Sequence, residues 1–301
     1  MPVPQPVVTS NFAGKSAGFY ISAALQQATS LEYLTMIENV KFKSNIQSMA
    51  LGASSIQAAS CDFSAGADLT LTEKVLEPVN LQVNMQLCKA NLLSSWEALQ
   101  MRAGAGAPPP ASFTDYVIAY IGERIAATVE DDVWNGGLFT GFNAGAGAWL
   151  LPATDATVVQ DAASAAYTAT NIIANLTTAV AAIPAGVLRK EDLFIYMNAT
   201  TYSFYISAVS ELGYVNAYNM NNDYEPVFNG YKIAICPGMT ANEIVIAAKS
   251  NMFFGTDLLS DTTRVDVLDM GNLDGSDNMR LVARFSAGVQ TGVGADIVRQ
   301  S

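Results

Sequence analysis

Residues 79–88 alternate between apolar and polar side chains, and this pattern constrains the fold more than any other part of the chain. The odd positions carry Val, Leu, Val, Met and Leu, whereas the even positions carry four amides followed by Cys88. Successive side chains of a β-strand point to opposite faces of the sheet. The segment is therefore predicted to be a strand with one buried and one polar face.

A second pattern predicts a long helix that ends at Asn135. Ser112 with Asp115 three residues later is typical of a helix start, and Gly136 with Gly137 is typical of a stop. Apolar residues recur at steps of four between these signals: Val117, Ile121, Ile125, Val129 and Val133. A helix of about 24 residues would be a rod of roughly 36 Å.

The rest of the chain is read as an α+β arrangement. Three prolines in residues 1–8 predict an extended arm, and the Ala, Gly and Pro of residues 103–110 predict a linker. Helices are expected over residues 17–39, 156–182 and 199–212. Strands or hairpins are expected over residues 41–68, 193–197, 227–236 around Asn229-Gly230, and 265–290 as two paired strands.

Composition argues for a structural protein that meets other subunits. Half of the residues are hydrophobic and only 14% are charged, so we expect part of the apolar surface to face other copies. The net charge of -12 argues against a dedicated nucleic-acid binder, although a container wall that faces packed DNA tolerates it. Histidine is absent, which removes the commonest general base and metal ligand.

The sequence marks no secreted, membrane or catalytic segment. Cys61, Cys88 and Cys236 form no paired framework, and we expect them to be buried reduced thiols of a cytoplasmic product. No run of about 18 apolar residues and no well-formed signal peptide is present, so a soluble protein is expected.

Two motif-like stretches lack the residues that their chemistry needs. A phosphate-binding loop that ends at Gly14-Lys15-Ser16 requires a glycine where Thr9 stands. A calcium loop around residues 272–275 would have Met270 and Leu281 at its first and last ligand positions. We therefore expect no cofactor, no metal and no catalytic residues, and the chain is not predicted to be an enzyme.

Glu130, Asp131 and Asp132 gather at the end of the predicted long helix, where negative charge opposes the helix dipole. Two interpretations remain open. The three carboxylates form a solvated acidic end, or an Arg or Lys of an adjacent subunit docks on them. The second interpretation makes these residues a candidate inter-subunit contact.

Seven aromatic residues between positions 196 and 224 have spacings that fit strand and helix core faces better than a sugar or base platform. A core or a subunit interface is therefore expected for them. They are Tyr196, Tyr202, Phe204, Tyr205, Tyr214, Tyr218 and Tyr224.

The order of these elements resembles the Hong Kong ninety-seven-type major capsid protein of tailed bacteriophages. The resemblance rests on the long helix 114–136, the stretches 228–238 and 251–257, and the strand after Asn278. It covers nearly the whole chain, through motifs that are patterns of residue type.

The resemblance implies an arm over residues 1–40 and an E-loop hairpin with its following strand over residues 41–88. It also implies a peripheral domain with a spine helix over residues 89–137, an axial domain over residues 138–260, and return strands of the peripheral domain over residues 261–301. The arm and the hairpin would reach over neighbouring subunits. Lys41, Lys43 and Lys74 lie in or near the hairpin, but nothing marks any of them for cross-linking.

The implied function is a shell of pentamers and hexamers that encloses double-stranded DNA, assembled in the host cytoplasm as the capsid of a virion. Expected partners are further copies of the chain, a portal, a separate scaffolding protein in the absence of a cleaved propeptide, and decoration proteins. DNA would be enclosed without sequence-specific binding, and no membrane is involved. The alternatives are an encapsulin-like compartment, a surface-layer or adhesin protein, and a hydrolase that uses carboxylates alone.

Overall fold

The computed structural model describes residues 29–51, 68–88, 111–143, 149–161, 166–212, 226–257, 266–270 and 278–301. Six isolated positions, 56, 58, 59, 61, 275 and 276, are also described, whereas the side chains of residues 87, 111–121, 266, 267 and 269 are not. Within these residues the chain is a mixed α/β protein with three α-helices and three β-sheets.

The helices are α1 (Ala111–Asn135), α2 (Ile172–Ala181) and α3 (Ala199–Glu211). The strands of the first half are β1 (Thr35–Ile37), β2 (Ser44–Leu51), β3 (Leu69–Leu76) and β4 (Val79–Cys88). Those of the second half are β5 (Val159–Asp161), β6 (Leu193–Met197), β7 (Val227–Phe228), β8 (Tyr231–Ile235), β9 (Ile244–Ala248), β10 (Met252–Gly255), β11 (Asp266–Asp269), β12 (Asn278–Thr291) and β13 (Val298–Gln300). Short 3₁₀ turns lie at Thr29–Tyr33, Lys249–Asn251 and Gly294–Asp296.

Strand β12 organises a five-stranded sheet. It pairs antiparallel with β4, β11 and β10, and β1 lies parallel beside β10. The pairing with β4 is continuous from Val79 opposite Ala287 to Cys88 opposite Asn278. This register places the apolar side chains of β4 on the same face as the buried side chains of β12, as the alternation predicted.

The second sheet has six strands in the order β5-β13-β9-β6-β8-β7. All five residues of its central strand β9 are buried. Helices α2 and α3 pack in the core on one face of this sheet, and the end of α1 packs in the core on the other face. A strand that is covered on both faces reads as a continuous apolar run, which explains the sequence of β9.

Strands β2 and β3 form a separate antiparallel hairpin in which Ser44 pairs with Leu76 and Leu51 with Leu69. Most of its side chains are exposed, and Leu76 at its base is fully buried. A hairpin is therefore present, but only its first strand lies in the predicted range 41–68, because the second strand is Leu69–Leu76.

Several other predictions are confirmed. Helix α1 ends at Asn135 and begins at Ala111, so that Ser112 lies just inside the helix. Strand β6, helix α3 and the paired strands β11 and β12 occupy the expected segments. The β7–β8 turn has Asn229 at φ 49° and Gly230 at φ 87°, which is the left-handed backbone that this dipeptide tolerates.

Two predicted helices are wrong in the described residues. Residues 29–39, the described part of the helix expected over 17–39, form a 3₁₀ turn and β1, because the backbone there pairs with β10. The helix expected over 156–182 is reduced to α2, because Val159–Asp161 pairs with β13. Asn171 lies at the N-cap of α2, and its side-chain oxygen accepts from the Thr168 amide in the preceding turn at 2.8 Å.

The strands β9, β10 and β13 were not predicted. The predicted arm over residues 1–8, the predicted linker over 103–110 and residues 272–274 of the calcium-loop-like stretch lie outside the described residues.

Gly238 marks the closest approach between helix α1 and the six-stranded sheet. A Cβ on Gly238 would lie 2.1 Å from the carbonyl oxygen of Glu130, whereas a Cβ on Gly186 would meet no atom within 4 Å. We expect Gly238→Ala to lower the free energy of unfolding by about 1–3 kcal/mol, because backbone atoms must move apart. Urea unfolding checks this, with Gly186→Ala as the matched control, which is expected to change stability by less than about 1 kcal/mol.

Candidate assembly surfaces

The acidic end of α1 is mostly occupied by contacts within the chain. Glu130 is 7% exposed, and its carboxylate accepts from the Ser30 hydroxyl at 2.5 Å and the Ser30 amide at 3.0 Å. The amide of Gly238 donates to the same carboxylate at 3.4 Å. These donors compensate the burial of a charge that the helix dipole would otherwise oppose.

Trp134 completes this buried network. Its indole Nε1 donates to the Ser30 hydroxyl oxygen at 2.8 Å, and its ring lies between Phe142 and Tyr196 with centroid distances of 5.3 and 5.7 Å. The Ser30 hydroxyl therefore joins Glu130 to Trp134. The 3₁₀ turn that contains Ser30 is fixed against α1 by these bonds.

Asp132 and Asp131 differ in exposure. Asp132 is 6% exposed, and its carboxylate accepts from the Leu138 amide at 3.3 Å. Burial raises the pKa of Asp132; the neighbouring charge of Asp131 adds to the rise, and the Leu138 hydrogen bond lowers it. Asp131 is exposed and accepts from the Asn135 side-chain amide at 2.7 Å.

The structure thus corrects the interpretation of a solvated acidic end, because two of the three carboxylates are buried. The predicted contact with an adjacent subunit stays a prediction, and Asp131 is the carboxylate available for it.

The hairpin carries an apolar patch on one face. Met49 pairs directly with Leu71, and Leu51 with Leu69, so their four side chains share a face. Their exposed fractions are 71%, 66%, 62% and 57%, respectively. We call these four residues the hairpin patch. The hairpin patch was not predicted from the sequence: Leu69 and Leu71 alternate with threonines, but the apolar Ala50 lies between Met49 and Leu51.

The base of the hairpin is fixed to the rest of the chain. A Cβ on Gly255 would lie 2.7 Å from a methyl carbon of Leu76, so the strand accommodates that side chain only because it has glycine there. The ammonium of Lys74 lies 2.5 Å from the Asp155 carboxylate and donates to the Thr291 hydroxyl at 3.1 Å. The side-chain amide of Gln290 donates to the Val75 carbonyl at 2.7 Å.

A groove of about 260 Å³ lies between α1 and the sheet strands β4 and β12. Its lining is mainly apolar, with Arg124 and Asp132 at its charged positions: Leu81, Gln82, Val83, Met85, Arg124, Ile125, Thr128, Val129, Asp132, Leu138 and Phe285. Leu138 at this groove is 57% exposed.

A basic pocket of about 360 Å³ lies at the amino ends of β6 and β8. Arg189, Lys190 and Lys232 line it together with Glu191 and the Asn229–Gly230 turn. Three of the chain's 15 basic residues therefore meet in one place. The sequence signal for this pocket is the Arg189-Lys190 pair.

The described residues hold no group of three or more acidic or thiol side chains that could bind a metal ion. None of the helices in this part of the chain is long and apolar enough to cross a membrane. The cysteines are free thiols: Cys236 is buried as expected, Cys88 is half-buried, and Cys61 is exposed, which corrects the prediction for Cys61. Burial raises the pKa of the Cys236 thiol, so it is not an activated nucleophile.

Of the seven aromatic residues, four are described. Tyr196 is buried in the core that includes Trp134, and Tyr202, Phe204 and Tyr205 pack partly buried against the second core. Tyr205 contacts Phe228 edge to face at a centroid distance of 5.9 Å. The core interpretation is confirmed for these four, and Tyr214, Tyr218 and Tyr224 lie outside the described residues.

No protein-family model and no curated protein matches the chain in sequence. Solved structures match its fold over nearly their full length. The capsid of a native GTA particle aligns with 100% of this chain and 94% of its own, at 15% identity and a TM-score of 0.60. The chain has the fold of a tailed-phage capsid protein.

Two further structures show the same capsid fold. The capsid of Myoviridae phage XM1 matches 100% of this chain and 96% of its own, at 12% identity and a TM-score of 0.56. A virus-like particle from Pyrococcus furiosus matches 94% of this chain and 98% of its own, at 11% identity and a TM-score of 0.50. The resemblance drawn from the order of elements is thus confirmed at the level of the fold.

The Ser30 network allows a direct stability test. We expect Ser30→Ala to lower the free energy of unfolding by about 1–3 kcal/mol, because Trp134 and Glu130 each lose a buried hydrogen-bond partner. The matched control is Ser207→Ala, whose exposed hydroxyl donates to the Ser203 carbonyl within a helix. Its expected effect is below about 0.5 kcal/mol by urea unfolding, and equal losses in the two variants would contradict the role of Ser30.

The Lys74–Asp155 pair predicts a dependence on pH. Burial raises the pKa of Asp155, but hydrogen bonds from Lys74 and Thr157 outweigh it, so that the pKa lies below the ordinary 3.8. The ionised Asp155 carboxylate therefore stabilises the folded chain fully above about pH 4, and this stabilisation is lost as the pH falls through the lowered pKa of Asp155. We expect Lys74→Met to be less stable than the native chain by about 1 kcal/mol at neutral pH, and the difference to shrink in acid.

Urea unfolding of the native chain and of Lys74→Met, from neutral pH into acid, measures the difference in their free energies of unfolding. Lys43→Met is the control, since the Lys43–Glu77 pair is exposed at both ends and is worth about 0.5 kcal/mol or less. A Lys74→Met difference that stays constant into acid would contradict the assignment.

Proposed function

We propose that this chain is a major capsid protein that assembles into the pentamers and hexamers of an icosahedral shell around double-stranded DNA. The observation that carries the proposal is the match of the whole chain to capsid structures. The role proposed is structural and not catalytic. Shell formation, enclosed DNA and assembly in a host bacterial cytoplasm are parts of this proposal.

The exposed hairpin supports association of copies. A two-stranded hairpin is marginal in water, and this one presents four exposed aliphatic side chains on one face. An apolar surface of this kind is stabilised when another subunit covers it. Interfaces between permanently associated subunits bury about 2,000 Å² or more, which is enough to include the hairpin patch.

Within the proposed shell we assign the hairpin β2–β3 as the E-loop and α1 as the spine helix of the peripheral domain. Residues 1–40 are the proposed arm, and residues 138–260 are the proposed axial domain. The pairing of strands refines the bounds. Strand β10 belongs by sequence to the proposed axial domain, but it lies in the sheet of β4 and β12. Strand β13 belongs by sequence to the proposed return strands, but it lies in the six-stranded sheet. A portal, a separate scaffolding protein and decoration proteins are the proposed partners.

One alternative has an observation in its favour. The match to the Pyrococcus furiosus virus-like particle fits a shell that is not a phage capsid, such as an encapsulin-like compartment. Nucleic acid inside purified particles would support the capsid, whereas a co-purified cargo protein would support the compartment. Neither the surface-layer nor the carboxylate-hydrolase alternative gains support from the described residues.

The hairpin patch supplies a test of assembly. We expect Leu71→Glu to prevent shells or to raise the protein concentration that they need by roughly tenfold or more, because a charge would be buried at the interface. Light scattering and electron microscopy of the purified chain, with a scaffold co-expressed where needed, make the measurement. Thr70→Glu is the matched control, since Thr70 is the preceding exposed residue and points to the opposite face of the hairpin.

Shells from the native chain and from Thr70→Glu, but not from Leu71→Glu, are the expected result. A native chain that stays monomeric under all these conditions would contradict the proposed function. Normal shells from Leu71→Glu would show that the hairpin patch is not part of the interface.

A further inference from the structure

Opposite charges lie at opposite ends of the six-stranded sheet. Strands β6 and β8 run parallel, so their amino ends lie at one edge and their carboxyl ends at the other. The basic pocket is built on the amino ends, at Leu193 and Tyr231. The acidic end of α1 lies at the carboxyl ends, where the Asn135 side-chain amide donates to both Asp131 and the Gly238 carbonyl at 2.7 and 2.8 Å.

None of the three carboxylates at the acidic end has a cationic partner in the described part of the chain, and only Asp131 is exposed. Glu130 and Asp132 are buried and occupied by backbone and hydroxyl donors. Asp131 is exposed, and no ion pair among the described residues includes it. Burial raises the pKa of Asp132, and the charge of Asp131 adds to this rise. A cation placed here would also interact favourably with the carboxyl end of the helix.

The basic pocket has the complementary property. Of the nearby carboxylates, Asp192 accepts from the Ser250 amide at 3.0 Å, Asp296 lies 3.9 Å from Lys190, and Glu191 is exposed in the pocket lining. Three cations, Arg189, Lys190 and Lys232, outnumber Glu191 in that lining. Arg189 is exposed and has neither a hydrogen bond nor an ion pair within the described ranges. Its guanidinium offers planar, paired donors that match a carboxylate.

Asp131 and Arg189 do not meet within one chain. Strand β8 alone separates the two edges by about 13 Å, at roughly 3.3 Å per residue. A direct ion pair needs the charged atoms within about 4 Å. The two groups are therefore placed to pair between copies, with the acidic edge of one sheet facing the basic edge of the next. Such a head-to-tail contact uses two different surfaces, and it closes into a ring when the rotation between copies permits.

We propose that Asp131 of one copy binds in the basic pocket of a second copy, with Arg189 as its principal partner, and that this contact orders subunits head to tail within a ring. The inference deepens the proposed function and rests on it. The acidic end of α1 and the basic pocket determine how neighbouring copies align, because contact between two surfaces of like charge would be repulsive.

Charge reversal and mixing test the contact. Asp131→Arg alone places a cation against the basic pocket, and Arg189→Asp alone places a carboxylate opposite Asp131 at the proposed contact. Each variant alone is expected to raise the concentration needed for association by roughly tenfold or more. An equal mixture of the two is expected to form rings with an even number of subunits again, since alternating variants join opposite charges at every junction, whereas a five-membered ring cannot alternate. Analytical ultracentrifugation, native mass spectrometry and electron microscopy measure the complexes.

Matched controls separate this contact from net charge. Glu123→Arg and Arg284→Asp change exposed residues by the same charge as the two test variants, and both are expected to associate like the native chain. Recovery on mixing also shows that the test variants are folded. Either native-like association of both single variants, or a mixture no better than its parts, would overturn the inference. A native chain that makes complexes but never shells would count against the proposed function only, because the mixing result still decides the contact.

Discussion

The carboxyl-terminal half of helix α1 packs against both large sheets at once, and the arrangement of the rest of the molecule depends on this packing. Val133 and Trp134 are fully buried in a core that also contains Met279 and Leu281 of β12 and Val245 of β9. Elements that bury a common apolar surface cannot separate without exposing it to water. The helix therefore fixes the five-stranded sheet relative to the six-stranded sheet.

This packing brings charged groups into the interior. The backbone contact at Gly238 brings α1 close enough to the sheet to remove Glu130 from water. Burial of a carboxylate is unfavourable unless donors surround it, and the donors to Glu130 are the Ser30 hydroxyl and the amides of Ser30 and Gly238. The Trp134 indole joins this network by donating to the Ser30 hydroxyl oxygen. The N-terminal described segment is attached through the same network. A single polar cluster thus orients three parts of the chain.

What the single chain leaves uncovered is as informative as what it buries. The hairpin is fixed at its base by Leu76 and Lys74 but exposes aliphatic side chains towards its far end. The two edges of the six-stranded sheet carry opposite charges, and in the described part of the chain neither Asp131 nor Arg189 forms an ion pair. A monomer would gain nothing from either feature, whereas repeated copies gain burial and ion pairing from both. These surfaces agree with the capsid fold.

The sequence by itself determined the elements with strong local patterns. The alternation of residues 79–88, the steps of four that end at Asn135 and the Asn229-Gly230 turn each specify one local structure, because backbone geometry links side-chain period to conformation. The order of these elements was enough to indicate the capsid fold. The sequence also placed three acidic residues at the helix end.

Which of those acids is exposed depends on contacts between distant parts of the chain. Burial of Glu130 depends on Ser30 and Gly238, which lie about a hundred residues away on either side. The short strands β1, β5 and β13 likewise form because they pair with strands that are distant in sequence. A segment of three residues is too short to show a clear alternation of apolar and polar side chains. The basic pocket joins residues near 190 with residues near 231 because β6 and β8 are parallel neighbours. Pairing between residues this far apart in sequence leaves no local sequence pattern, so it is seen only in the folded structure.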